Sequence, residues 1–126
     1  MAIPVLSRFA ADAFERLLQL ASGGGDAPKV ADALSTLHKI VSLNLQPPGT
    51  LGRVVEVARM RMATTDSPMV WQNALDLALA TRDRQLRAVV ARIAEGGVEP
   101  PFSARDDLRL WVRSAAQRAL NRSTRR

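Results

Sequence analysis

The chain has 126 residues and a net charge of +6, with 18 Lys+Arg against 12 Asp+Glu. That length supports one domain, and 47% apolar with 24% charged residues is a globular rather than a disordered composition. With no cysteine and one histidine, the sequence excludes disulfides, thiol catalysis, cysteinyl zinc and any multi-histidine metal site.

Helical periodicity runs almost throughout. Phe9, Phe14, Leu17, Leu18 and Leu20 form a first apolar face, and Val30, Ala33, Leu34, Leu37, Val41 and Leu45 a second. Leu51, Val54, Val55, Ala58 and Met62 form a third, and Val70, Ala74, Leu77, Ala78 and Thr81 a fourth. Leu86, Val89, Val90 and Ile93 form a fifth, and Leu108, Trp111, Val112, Ala115, Ala119 and Leu120 a sixth. Trp111 reads as core at this spacing and Trp71 as near the core edge. No stretch alternates as a strand would.

Turn chemistry separates the faces. SGGGDAP at 22–28 ends one helix and offers Asp26 as an N-cap with Pro28 in the next first turn. LQPPGT at 45–50 cannot be helical at Pro47–Pro48, and Thr50 can cap the third helix. TTDSP at 64–68 repeats the cap-and-proline start, and Ser103, beyond Gly96–Gly97, can cap the last helix. The junction Thr81–Arg82–Asp83 has neither glycine nor proline. It leaves open whether helices four and five are one kinked helix or separate, with Asp83 as the N-cap of the fifth.

An internal repeat organises these elements. DAPKVADALSTL begins at Asp26 and DSPMVWQNALDLAL at Asp66, 40 residues later. A looser copy places Val112 42 residues after Val70 and Ala116 42 after Ala74. Between the copies lie helices with apolar doublets: Leu17–Leu18, Val54–Val55 and Val89–Val90. Each hairpin has a doublet face and an alanine-rich face, and stacking hairpins would bury both.

The unit length and helix-pair layout resemble HEAT and armadillo repeats. DLRLWVRSAAQRAL at 107–120 is similar to the HEAT second helix, and Glu15–Leu34 and Ile93–Pro101 look armadillo-like. The resemblance covers roughly residues 14–121. It implies an all-α, short right-handed α-solenoid of about six helices in three hairpins, which binds other macromolecules along a groove. The units would span about 5–45, 50–81 and 83–121 within a single domain 1–121, with a basic tail at 122–126. An irregular six-helix bundle is the alternative. Asn73 and Asn121 do not fall at the asparagine positions of armadillo grooves.

Little here suggests chemistry. His38 has no partner cysteine or second histidine. Glu95, Glu99, Asp106 and Asp107 could pair as acid and base, but their loop and helix-start positions suit capping charges. SGGGD at 22–26 lacks the Lys-Ser/Thr of a phosphate loop. The expectation is a non-enzyme with no cofactor and no metal.

Charge is unevenly placed. Residues 1–81 carry 7 basic and 7 acidic side chains, whereas residues 82–126 carry 11 arginines and 5 acids. Arg105, Arg109 and Arg113 recur every fourth residue on one stripe of the last helix. Arg118 and Arg122 fall on another side, Arg84, Arg87 and Arg92 belong to the helix before, and Arg125 and Arg126 end the tail. Arg84, Arg87, Arg105, Arg109, Arg113, Arg118 and Arg122 are therefore the candidate binding residues. Such a face can be simply solvated, can dock an acidic protein surface, or can bind nucleic-acid phosphates.

Aromatics are only 4% with no tyrosine, which argues against base-stacking RNA modules and most carbohydrate sites. No secretory signal or spanning segment is evident, so a cytoplasmic location is expected, with the nucleus as an alternative and no membrane contact. The expected function is a protein–protein interaction scaffold or adaptor, with nucleic-acid binding through the arginine-rich last third as the alternative. Self-association through the Phe9/Phe14 end is a further expectation.

Overall fold

Proline, glycine and short polar side chains set the limits of six helices. These are α1 (Ile3–Ser22), α2 (Ala27–Ser42), α3 (Leu51–Thr64), α4 (Pro68–Ala80), α5 (Arg84–Ala94) and α6 (Asp106–Thr124). The computed structural model describes the backbone of residues 3–23, 25–103 and 106–124, and the side chains of residues 11–23, 25–103 and 107–123. The side chains of Phe9, Arg105, Arg125 and Arg126 lie outside that set. No strand occurs among the described residues.

The caps agree with sequence chemistry at two starts and depart from it at two. Ser67 Oγ accepts from Val70 N–H at 3.3 Å, and Asp83 Oδ2 accepts from Leu86 N–H at 2.9 Å. Asp26 and Thr50 precede α2 and α3 without making a side-chain cap bond. Thr50 Oγ1 instead donates to Pro47 O. The Ser103 hydroxyl donates to Pro100 O at 2.7 Å, and the cap expected there falls where α6 begins, next to residues outside the described set.

The open junction resolves into two separate helices. Arg82 takes a left-handed conformation at φ 61°, and its N–H donates to Leu79 O. An arginine thus fills the position that glycine usually takes after a helix, and Asp83 restarts the chain as α5.

Sequential helices pack as pairs: α1 with α2, α3 with α4, and α5 with α6. Contacts also run from α2 to α4, from α4 to α6 and from α1 to α3. Helix α4 lies between the others, so it must be apolar around most of its circumference. Val70, Trp71, Ala74, Leu75, Leu77 and Ala78 are all buried. Small side chains at Ala31, Ala33, Ala74 and Ala78 let the helices approach closely. The repeat positions Val30, Val70 and Val112 are likewise buried. Asn73 Nδ2 donates to Ala31 O at 2.9 Å, which spends this asparagine on the α2–α4 contact.

Four positions differ from the apolar faces read in sequence, one of them Leu51, which is exposed at the start of α3. Trp71 is not at the core edge but fully buried, 5.8 Å from the Phe102 ring and 5.6 Å from the Trp111 ring. Leu20 and Leu45 are exposed at 52% and 68%. Leu20 is off the stripe that Phe14, Leu17, Leu18 and Ala21 make at three- and four-residue steps. Leu45 lies past the end of α2 and has left its helical face.

Arg61 shows a cation used as a structural part. From α3 its Nε donates to Ala21 O at 2.5 Å and its Nη2 to Gly23 O, closing the carbonyl end of α1. Partial burial lowers its pKa, the expected effect of desolvating a cation. Arg61→Ala leaves those carbonyls without partners and is expected to cost about 1.5–3 kcal/mol in chemical denaturation. Arg61→Lys, which lacks the two-pronged fork, should recover only part of that.

Candidate functional site

The carbonyl ends of α2, α4 and α6 open onto one groove of about 950 Å³. Helix α2 contributes His38, Val41 and Ser42, helix α4 contributes Asp76, Leu79 and Ala80, and helix α6 contributes Ala119, Arg122 and Ser123. Asn44, Gln46 and Leu51 line the side next to the α2–α3 connection. Thr81, Arg82 and Arg87 line the side next to the α4–α5 turn.

Among the described residues Asp76 is the one acid in the lining. Its Oδ1 receives Gln72 Nε2 at 3.3 Å and faces Arg122 Nη2 at 3.5 Å. Burial raises its pKa above the ordinary aspartate value, while Arg122, then His38 and then the Gln72 hydrogen bond pull in the opposite direction. A raised native pKa means that the folded state holds a proton the unfolded chain has already released. Stability from this group therefore falls as pH rises from the unfolded value of 3.8 through the native one. Asp76→Asn is expected to raise the melting temperature near neutral pH and to leave it unchanged at about pH 3, as read by circular dichroism.

The groove arginines differ from Arg53, Arg59 and Arg109 in how their charge is used. Arg53 forms a bidentate pair with Glu15 (2.6 Å from Nη1 to Oε2), which holds the Glu15 carboxyl below its usual range. Arg59 pairs with Glu56 at 2.9 Å, and Arg109 with Glu99 at 3.5 Å. In the groove, Arg87 Nη1 meets a neutral hydroxyl, Ser123 Oγ, at 2.8 Å, and among the described residues Arg122 has only the long contact to Asp76. Arg82 is exposed and its guanidinium meets no carboxylate among the described residues. These groups are not needed as caps either. The last carbonyls of α2 accept from the N–H groups of Leu43, Asn44 and Leu45, and those of α4 from Thr81 and Arg82.

The structure divides the arginines singled out in sequence. Arg87 and Arg122 reach the groove from two helices. Arg109 and Arg113 turn instead to the α5–α6 connection: Arg109 Nε donates to Ser103 O at 3.3 Å, and the Arg113 guanidinium lies over Gly96. Arg84 and Arg118 are exposed and do not line the groove, and Arg105 is outside the described residues.

His38, Asp76 and Arg82 join the groove without having been candidates. His38 and Asp76 are 38 residues apart on helices two and four, close to the repeat spacing. That spacing was the one signal that could have aligned them. Arg82 carried a signal too: it occupies a helix–helix junction with no glycine.

Among the described residues no hydrogen bond joins Ser42, His38 and Asp76 of the lining to one another. Among the described residues no three or more acidic or histidine side chains gather as metal ligands, and no helix is long and apolar enough to cross a membrane. No family model, curated protein or solved structure matches the chain.

Proposed function

We propose that the protein is a non-enzymatic interaction module of the HEAT/armadillo type, a short right-handed α-solenoid of three helical hairpins that receives a protein partner in the groove at the ends of α2, α4 and α6. The observation that carries this reading is the groove itself, whose floor draws on every second helix of the three sequential pairs. Contacts from α2 to α4 and from α4 to α6, with α1 against α3, support a one-dimensional succession of hairpins over an irregular bundle. The mixture of Val41, Leu51 and Leu79 with polar and charged groups suits a helix or peptide with apolar anchors and a polar rim.

Ser42→Trp fills the groove from an exposed helix end. A partner captured by the wild-type protein and lost with Ser42→Trp supports the module. Identical capture by both proteins sinks it.

A second reading is nucleic-acid binding through the last third, favoured by the solvent-exposed Arg84, Arg92 and Arg118. It predicts a gel shift at low salt that weakens steeply as salt rises. No shift at low salt would dismiss it.

A further inference from the structure

We infer that the groove binds an acidic peptide segment of a partner protein, with its carboxylates on Arg82, Arg87 and Arg122 and its aliphatic side chains on Leu51 and Leu79. This rests on the interaction-module reading and adds the chemistry of the partner.

The argument is one of unspent charge. Among the described residues three guanidiniums face the groove against one carboxylate. Outside it, Arg53 and Arg59 hold acids and Arg61 holds the end of α1, while Arg84, Arg92 and Arg118 stand exposed with no part of that concave apolar lining around them. A guanidinium offers a planar fork that matches a carboxylate in two parallel hydrogen bonds, so Arg82 and Arg87 present the geometry such a partner uses. The apolar part of the lining gives the partner's aliphatic groups somewhere to leave water. Leu43 and Leu45, each 68% exposed, extend that apolar surface beside Asn44.

A nucleic-acid strand fits this lining less well. Single-strand binding sites place aromatic rings under the bases, and among the described residues no aromatic side chain lines the groove. Trp71, Trp111 and Phe102 are packed against one another instead.

Asp76 occupies the place of an internal competitor. Its carboxylate already faces Arg122, and an incoming acid must displace or share that contact. Removing its charge should therefore help the ligand rather than harm it.

The test is fluorescence anisotropy with three labelled helical peptides, one of Leu, Ala and Glu, one with glutamine for glutamate and one with lysine for glutamate. A single-stranded oligonucleotide is titrated alongside. The groove variant combines Arg82→Asn, a residue at ease in the left-handed conformation, with Arg122→Gln. The control combines Arg92→Gln with Arg118→Gln, which removes equal charge outside the groove. Thermal melts check that both fold.

The glutamate peptide should bind the wild type, weaken at least about tenfold with the groove pair and change by less than about twofold with the control pair. Asp76→Asn should tighten it severalfold. The inference is overturned if the glutamate peptide fails to bind, if the glutamine peptide binds equally, or if the two variant pairs weaken binding alike. Capture sensitive to Ser42→Trp would still support the broader module in each of those cases, whereas capture insensitive to it removes the module reading itself. Tighter binding of the oligonucleotide through Arg82 and Arg122 also overturns the inference and assigns the groove to nucleic acid.

Discussion

Trp71→Ala is expected to lower the unfolding free energy by about 3–5 kcal/mol, the range for deleting a buried aromatic. Trp71 is fully buried on α4 and meets Phe102 and Trp111 at ring distances of 5.8 and 5.6 Å. Its removal leaves a large cavity between α4 and α6, and it also strips the edge-to-face contact with Phe102 and the tilted one with Trp111, which add to area burial. Against a whole-domain stability of about 5–15 kcal/mol, such a loss takes much of the margin. Urea denaturation monitored by helical circular dichroism gives the value. Trp71→Phe should cost clearly less. The indole Nε1 donates to no acceptor among the described residues, so phenylalanine keeps a ring there and removes a buried unmatched donor. Equal losses for the two substitutions would show that the cluster depends on the indole shape rather than on aromatic volume.

Leu34→Ala is expected to cost about 2–5 kcal/mol in the same measurement. Leu34 is fully buried on α2, the helix that packs against both α1 and α4, so the cavity it leaves has rigid walls and little means of collapse. Leu45→Ala is the matched control. The side chain is chemically the same, but it is exposed at 68% and should change stability by less than about 0.5 kcal/mol. If both substitutions cost the same, the α2–α4 contact is not the part of the core that this structure makes it.

Those two leucines also show how far sequence reading reaches. Both fall on the same apolar register of the second helix, and periodicity alone ranks them equally. The difference comes from where the helix stops. The N–H groups of Leu43, Asn44 and Leu45 turn back onto α2 carbonyls, and Asn44 adopts a left-handed conformation at φ 57°, so the register is lost before Leu45. Helix identity was readable because prolines, glycines and cap residues mark most of the starts. The Arg82 junction was not, because its positive φ falls on a residue type that gives no sign of it in sequence.

The candidate site was legible only in part for a related reason. Arg109 and Arg113 stand four apart and read as one binding stripe. A stripe on a helix acquires meaning only from its neighbour, and here the neighbour offers Glu99 and the space above Gly96. Arg87 and Arg122 lie 35 residues apart in sequence yet face one groove, because α5 and α6 pack together and bring Arg87 to Ser123. Charge counting located the relevant third of the chain but not the surface on which the charge gathers.

The ring cluster has one more consequence. The chain contains two tryptophans and no tyrosine, and both tryptophans sit in that cluster, one on α4 and one on α6. Near-ultraviolet absorption and indole emission therefore arise at a single seam, where the last helix meets the middle of the molecule. Far-ultraviolet signals, by contrast, sum over all six helices. The protein thus carries a built-in optical reporter for the seating of α6, separable from helix content, and no label has to be attached to read it.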